Sequence, residues 1–264
     1  MSAPDPVQVG YDAVYDAMLA SPTFRQLWRE HAAGIDFPDS LSHISFVTLK
    51  ELHRIADYLN LAPGKTLVDL GCGLAGPSLW VARETGATLV GVDLSIVAPV
   101  KATARAESLG LAHQATFKTG SFAETGLAAG SADAIMSEDA LQYAPDKRAA
   151  MKEAARIARP GAKFVFTVFE LDPVQVAGLP VIGADPVDDY RPLLQEFGFI
   201  VESYEEVPGW PEPMRSAYSA VLAAKDQLVG EMGEAATAAL SAEVVLTLER
   251  NPYKRRVLAV AKKS

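Results

Sequence analysis

The stretch VDLGCGLAGPSLW, Val68 to Trp80, concentrates residue types that can do chemistry. Gly71, Gly73 and Gly76 fit G-x-G-x-x-G, and Asp93 lies 22 positions past Gly71, at the end of the apolar run ATLVGVD. Glycine suits a sharp turn where a Cβ would strike a ligand or force φ into a costly region. A helix starting behind such a turn aims free N–H groups and a partial positive charge at the bound molecule. In a dinucleotide site that molecule presents a pyrophosphate, and the acid ending the second strand takes the ribose hydroxyls. Any nucleoside cofactor with an anionic group fits the same turn, so these residues alone do not choose among them.

A second group follows ADAIMS. In SEDALQY, Glu138, Asp139, Gln142 and Tyr143 stand just past a strand, where ligands of open α/β sheets bind. Glu138 and Asp139 are expected to meet the reacting molecules, a carboxylate there taking a proton during attack on a hydroxyl acceptor. The same acids also suit a helix start, where they complement the dipole. An amine or acidic phenol acceptor needs only alignment. Gln142 and Tyr143 are expected to touch the acceptor. Of His31, His43, His53 and His113, only His43 is retained as a candidate base, and none has metal-ligand spacing. Cys72 reads as a small buried residue lining the turn, with no chemistry of its own.

These residues need elements to position them. Before Lys65, VGYDAVYDAMLA and TLKELHRIADYLNL carry apolar residues at helical spacing, with GIDFPDSLSHISFV as an ordered loop between them. After it, strand patterns TLVDLG, ATLVGVDLS, ATFKTG, ADAIMS, RPGAKFVFTVFE, FIVESYEEV and KRRVLAVAKK alternate for the most part with helix patterns. That alternation implies right-handed crossovers and a largely parallel sheet. Between the last two strands lies a long Ala-rich helical stretch. The expected division is a helical cap over 1–62, a core over 63–207 and 252–264, and a helical insert over 208–251. Trp210, Met214, Tyr218 and Leu222 recur every four residues in the insert, a stripe that either roofs an acceptor pocket or packs on the domain or a second copy.

Three features favour S-adenosylmethionine over a dinucleotide. Asp69, two residues before Gly71, would repel a pyrophosphate but suits an ammonium or sulfonium. The glycine turn also follows a helical preamble, and RIARPGAKFVFTVFE with its basic closing strand exceeds a dinucleotide half-sheet. From about Thr66 to Glu170 the chain resembles a class I S-adenosylmethionine-dependent methyltransferase: VDLGCGLAGPSLW resembles the first motif, LVGVDLS the second, ADAIMSEDALQY the fourth and ARPGAKFVFT the fifth. SFVTLKELHRIADYL and RRVLAVA narrow the likeness to actinobacterial small-molecule methyltransferases. The resemblance implies a Rossmann-like seven-stranded sheet in the order 3-2-1-4-5-7-6, the last strand antiparallel. It places Asp69, Gly71, Cys72, Gly73, Asp93, Leu94, Ser121, Phe122 and Glu138 at the cofactor, joined from the cap by Tyr15 and Ser45. Phe46 is placed like Ser45, and Tyr11 shares a helical face with Tyr15. Ser121 departs from the acid often found there. Trp210, Met214 and Tyr218, with Gln142 and Tyr143, are expected at the acceptor.

The bulk properties agree with a small acceptor. A net charge of −9 argues against a nucleic-acid groove. No apolar run suits a membrane span, MSAPDPVQVG is unlike a signal peptide, and the single cysteine fits a reducing cytoplasm. The expectation is a cytoplasmic, metal-free monomer or homodimer. It would transfer a methyl group to O, N or C of a secondary metabolite and leave S-adenosylhomocysteine. The alternatives are a NAD-dependent oxidoreductase and a repurposed relative, such as a cyclase that keeps the cofactor as a structural ligand.

Overall fold

The computed structural model describes residues 6–181, 183 and 185–264, so residues 1–5 of the expected cap lie outside the described residues. In chain order the helices are α1 (Pro6–Ala17), α2 (Pro22–Trp28), α3 (Leu49–Leu59), α4 (Gly76–Thr85), α5 (Ala98–Ser108), α6 (Lys147–Ile157), α7 (Arg191–Glu196), α8 (Pro211–Ala223), α9 (Lys225–Met232) and α10 (Glu234–Arg250). The strands are β1 (Thr66–Leu70), β2 (Thr88–Asp93), β3 (Ala115–Thr119), β4 (Ala132–Glu138), β5 (Ala158–Leu171), β6 (Phe199–Glu206) and β7 (Lys254–Lys263). They form one sheet in the order β3-β2-β1-β4-β5-β7-β6. Strands β1 to β5 pair in parallel, while β7 runs antiparallel to both β5 and β6. The expected topology is the observed one.

Both sheet faces are covered, so the central strands are apolar almost throughout rather than on alternate residues. Alternation survives as a choice of side. On β5, Val165 and Phe169 join the core beneath the cap, while Phe164, Phe166 and Val168 join the core beneath α6 and α7. The helix α3 belongs with the sheet rather than with a lid: Leu52, Ile55 and Leu59 are buried, and the helix packs on β4, β5 and α4. Its start is a capping box, in which Thr48 and Glu51 satisfy each other's backbone amides.

One helix escaped the sequence reading. Ser21 accepts a hydrogen bond from the Phe24 amide and Pro22 opens α2, a start signal that spacing alone did not reveal. The cap and the insert are stitched together there, because Glu231 on α9 accepts hydrogen bonds from the Ser21 and Thr23 hydroxyls. Helix α1 packs along α10, where a Cβ on Gly10 would stand 3.8 Å from Ala239 Cβ. Cap and insert therefore form one roof. Among the described residues no helix is long and apolar enough to cross a membrane.

Candidate active site

The glycine turn is held by the end of β2. Gly71 and Cys72 both donate their amides to the Val92 carbonyl, at 2.8 and 3.1 Å. The Gly73 amide donates to Asp93 Oδ2 at 2.7 Å, and the Ser95 amide donates to Oδ1 at 2.9 Å. These three turn amides are therefore committed inside the protein, and the amides free to meet a ligand anion are not those of the turn itself. Gly71 and Gly73 have φ of 76° and 48°, where a side chain is strained. Their bare faces lie under aromatic rings: a Cβ on Gly71 would stand 2.9 Å from Phe122 Cζ, and one on Gly73 2.8 Å from the Tyr15 hydroxyl. Gly76 has a different job. A Cβ there would stand 2.0 Å from the Leu41 carbonyl oxygen, so the third glycine seats the cap loop on α4.

A single cavity of about 230 Å³ opens over this turn and runs beneath the roof. Asp69, Gly71, Cys72, Gly73, Asp93, Leu94, Ser121 and Phe122 line its β1–β3 side, and Tyr15, His43 and Ser45 line it from the cap. Four buried polar atoms of lining residues have no hydrogen-bond partner: Asp69 Oδ1, Glu138 Oε1, His43 Nε2 and Gln142 Oε1. Buried polar groups without partners are rare in native proteins, and four around one cavity point to a polar ligand. Burial drives the carboxyls toward the neutral form. Asp69 is pushed up to about 7, by burial and the nearby Asp93 against the Ser78 hydroxyl, and Asp93 to about 6, mainly by burial. Glu138 rises well above the usual carboxyl range through burial and the neighbouring Asp69 and Asp139 charges. Burial lowers His43 to about 3, so the ring is neutral, with Ser45 Oγ 3.0 Å from Nδ1. Burial and the two nearby aspartates keep the Cys72 thiol protonated.

Asp139 is placed differently from its neighbour Glu138. It accepts from Arg256 Nε and Nη2 at 2.8 and 3.1 Å and from the Phe46 amide at 2.7 Å. Arg256 also donates to Glu51 at 2.6 Å. Both Asp139 oxygens are thus engaged in tying β7, α3 and the cap loop together, a structural duty that Glu138 does not share.

Residues 68–166 match the family model described as a methyltransferase domain. The chain is 26% identical over 226 residues to 27-O-demethylrifamycin SV methyltransferase of Amycolatopsis mediterranei, covering 81% of each chain. It is also 26% identical to the methyltransferase GfsG of Streptomyces halstedii, covering 75% of this chain and 74% of that one. The chain is a class I S-adenosylmethionine-dependent methyltransferase. Two solved structures share its fold. The [4+2]-cyclase SpnF superposes over 100% of this chain and 98% of its own, with a TM-score of 0.73 and 22% identity. Geranyl diphosphate C-methyltransferase from Streptomyces coelicolor A3(2), solved with Mg2+, geranyl-S-thiolodiphosphate and S-adenosyl-L-homocysteine, matches 81% of this chain and 76% of its own, with a TM-score of 0.61 and 18% identity.

On the β4–β5–β7 side of the cavity, the methyltransferase brings together Gln142, Tyr143, Met214 and Tyr218. Trp210 does not join them. It packs edge-on behind Phe169 at 5.3 Å, because it sits just before the first turn of α8 while the stripe turns toward the cavity further along. Sequence reasoning missed Trp28, Phe169, Glu243 and Lys254, all of which line the methyltransferase cavity. Glu243 had a legible signal, an acid between Leu240 and Val244 on a helix whose buried face also carries Thr247. Among the described residues of the methyltransferase, no group of three or more His, Cys, Asp or Glu is placed to hold a metal ion.

Proposed function

We propose that this methyltransferase transfers a methyl group from S-adenosylmethionine to a small, partly apolar natural product held under the helical roof. The observation that carries the reading is the pair of unpartnered, buried carboxyl oxygens, Asp69 Oδ1 and Glu138 Oε1, facing the cavity beside the glycine turn. Such a site suits a cationic cosubstrate and disfavours a pyrophosphate, so the dinucleotide alternative loses its support. The rifamycin-methylating relative supports the natural-product class.

In this reading Asp69 and Glu138 take the ammonium of the aminoacid end. His43 supports the carboxylate in the tautomer in which the Ser45 hydroxyl donates to Nδ1 and Nε2 carries the proton. Asp93 keeps one lone pair on each oxygen for the ribose while it holds Gly73 and Ser95. Leu94, Ser121 and Phe122 border the adenine, and Gly71, Cys72 and Gly73 form the floor. Tyr15 closes the cofactor from above. Bound there, S-adenosylmethionine supplies an electrophilic methyl group on a sulfonium. The protein aligns the acceptor with it and excludes water, which by itself lowers the barrier greatly. Asp139 acts as a positioning residue through Arg256 and the Phe46 amide.

Calorimetry tests the cofactor: S-adenosylmethionine and S-adenosylhomocysteine are expected to bind and NAD to give no heat. Incubation with actinobacterial metabolite extracts and S-adenosylmethionine should yield a product heavier by one methylene. Binding without any such product would favour the cyclase-like alternative.

A further inference from the structure

Every residue expected to handle a proton lies by the glycine turn or is already engaged, yet beneath the roof the cavity lining carries Glu243 and Lys254, two opposite charges, with Arg250, Lys147 and Asp146 also in the wall. Glu243 projects from α10. Its Oε1 accepts from the Tyr143 hydroxyl at 2.7 Å and the Tyr11 hydroxyl at 3.1 Å, which fixes the carboxylate in place. Lys254 opens β7 beside Leu171, the last residue of β5, so it stands at the carboxyl edge of the sheet. Its ammonium lies 5.5 Å from the centre of the Phe169 ring. Both residues line the cavity. They are close enough to influence each other's charge, but no ion pair joins them, and Lys254 has none with any other described residue.

We infer that Glu243 and Lys254 grip the acceptor through a hydroxyl group, so that the acceptor is an alcohol or phenol and methylation occurs on its oxygen. This rests on the methyltransfer reading and goes further by naming the reacting group. A hydroxyl donates one hydrogen bond and accepts others, so it satisfies a carboxylate on one side and an ammonium on the other. A protonated amine would face Lys254, and a carboxylate would face Glu243, each as a like charge. The surrounding rings of Tyr11, Tyr143, Phe169 and Tyr218 suit an acceptor that is apolar beyond that hydroxyl.

Burial moves both groups toward working near neutral pH. Glu243 is raised by burial against the pull of the two tyrosine hydroxyls and Lys254, and burial lowers Lys254 to about 8. A carboxylate of raised basicity is the better proton acceptor, and Lys254 stabilises negative charge growing on the acceptor oxygen. In the transfer, a bond forms from the acceptor oxygen to the methyl carbon. The carbon–sulfur bond breaks with its electron pair leaving on sulfur, and the hydroxyl proton passes to Glu243.

The test uses the full chain saturated with S-adenosylhomocysteine and the chromophore 4-nitrophenol, followed by its absorbance on titration. The wild type should bind it at least about tenfold more tightly than 4-nitrobenzoate or 4-nitrobenzylamine. Lys254→Met should weaken 4-nitrophenol by about tenfold or more, with Lys254→Arg recovering much of the loss. Glu243→Gln keeps an oxygen for the two tyrosines but cannot take a proton or repel an anion. It should shift the bound chromophore toward the phenolate spectrum. S-adenosylhomocysteine affinity and thermal midpoint are measured on each variant and should stay near wild type. Equal affinity and spectra across the variants, a preference for the acid or amine probe, or no binding of 4-nitrophenol would each overturn the inference while leaving methyl transfer standing. Failure of the wild type to bind S-adenosylhomocysteine would instead remove the functional reading beneath it.

Discussion

Arg256 and Asp139, 117 positions apart in sequence, form a two-point ion pair in the interior, with Nε and Nη2 of the guanidinium 2.8 and 3.1 Å from the two carboxylate oxygens. Arg256 is only 1% exposed, so the pair has little water to replace either partner. Breaking such a pair by removing one charge typically costs about 3–5 kcal/mol. Asp139→Asn is therefore expected to lower stability to chemical denaturation by an amount in or just below that range. The folded fraction should keep the pH dependence of turnover. Full stability with a lost acid limb in the pH–rate profile would restore Asp139 as the proton acceptor.

Gly76→Ala should loosen the cap. Its new Cβ would meet the Leu41 carbonyl oxygen at 2.0 Å, and overpacking against backbone costs about 1–3 kcal/mol or more. Gly230→Ala is the control, since nothing lies within 4 Å of its Cβ and the residue is inside α9. It should gain about 0.5–1 kcal/mol from helix propensity. Thermal unfolding of the two variants should move in opposite directions.

Asp93→Ala removes the acceptor for two backbone amides and, in the proposed site, for the ribose. S-adenosylhomocysteine affinity should fall by about 1.5–3 kcal/mol, the range for hydrogen bonds to a charged group. Titration calorimetry reads this directly, and unchanged affinity would remove the ribose assignment.

Asp69 links cofactor binding to pH. Its folded carboxyl titrates near 7 against 3.8 in the unfolded chain, so the folded state holds the extra proton between those values. Stability of the ligand-free protein from this group therefore falls as pH rises through that window. A bound ammonium favours the ionised carboxylate, so S-adenosylmethionine should bind more tightly as pH rises from about 6 to 8 and should expel protons on binding. Calorimetry near pH 6.5 in buffers of different ionisation heat counts those protons, and Asp69→Asn should abolish much of the count.

The roof separates into two kinds of position. Tyr218 faces the cavity and Trp210 sits behind Phe169. Tyr218→Ala should weaken acceptor binding while leaving S-adenosylhomocysteine affinity nearly intact. Trp210→Ala should show first as a stability loss of about 3–5 kcal/mol. Equal effects of the two on acceptor affinity would argue against this division.

Much of this protein was readable from local pattern. Strand and helix periods, the glycine turn, Asp69 and Asp93 are properties of short segments, and a turn of that kind behind β1 leaves the chain few choices. The short helix α2 was missed because seven residues show too little periodicity, although Ser21 and Pro22 mark its start. Sheet order came from the resemblance, since local pattern does not say which strands become neighbours.

What the sequence by itself determined was the glycine-turn half of the proposed site: a strand, a glycine turn and an acid at the next strand end lie close together along the chain, and their spacing restricts their geometry. The tertiary structure decided the roofed half proposed for the acceptor, and which carboxylate is left with an unpartnered oxygen. Glu138 and Asp139 are adjacent, yet one oxygen of Glu138 is left unpartnered in the cavity while Asp139 is claimed by Arg256 from the last strand. Glu243 reaches Tyr11 and Tyr143 from 232 and 100 positions away. The third glycine, Gly76, receives the cap loop at Leu41. The physical reason is the same in each case: burial and charge pairing depend on what packs against a residue, and these contacts join segments that only the folded chain brings together.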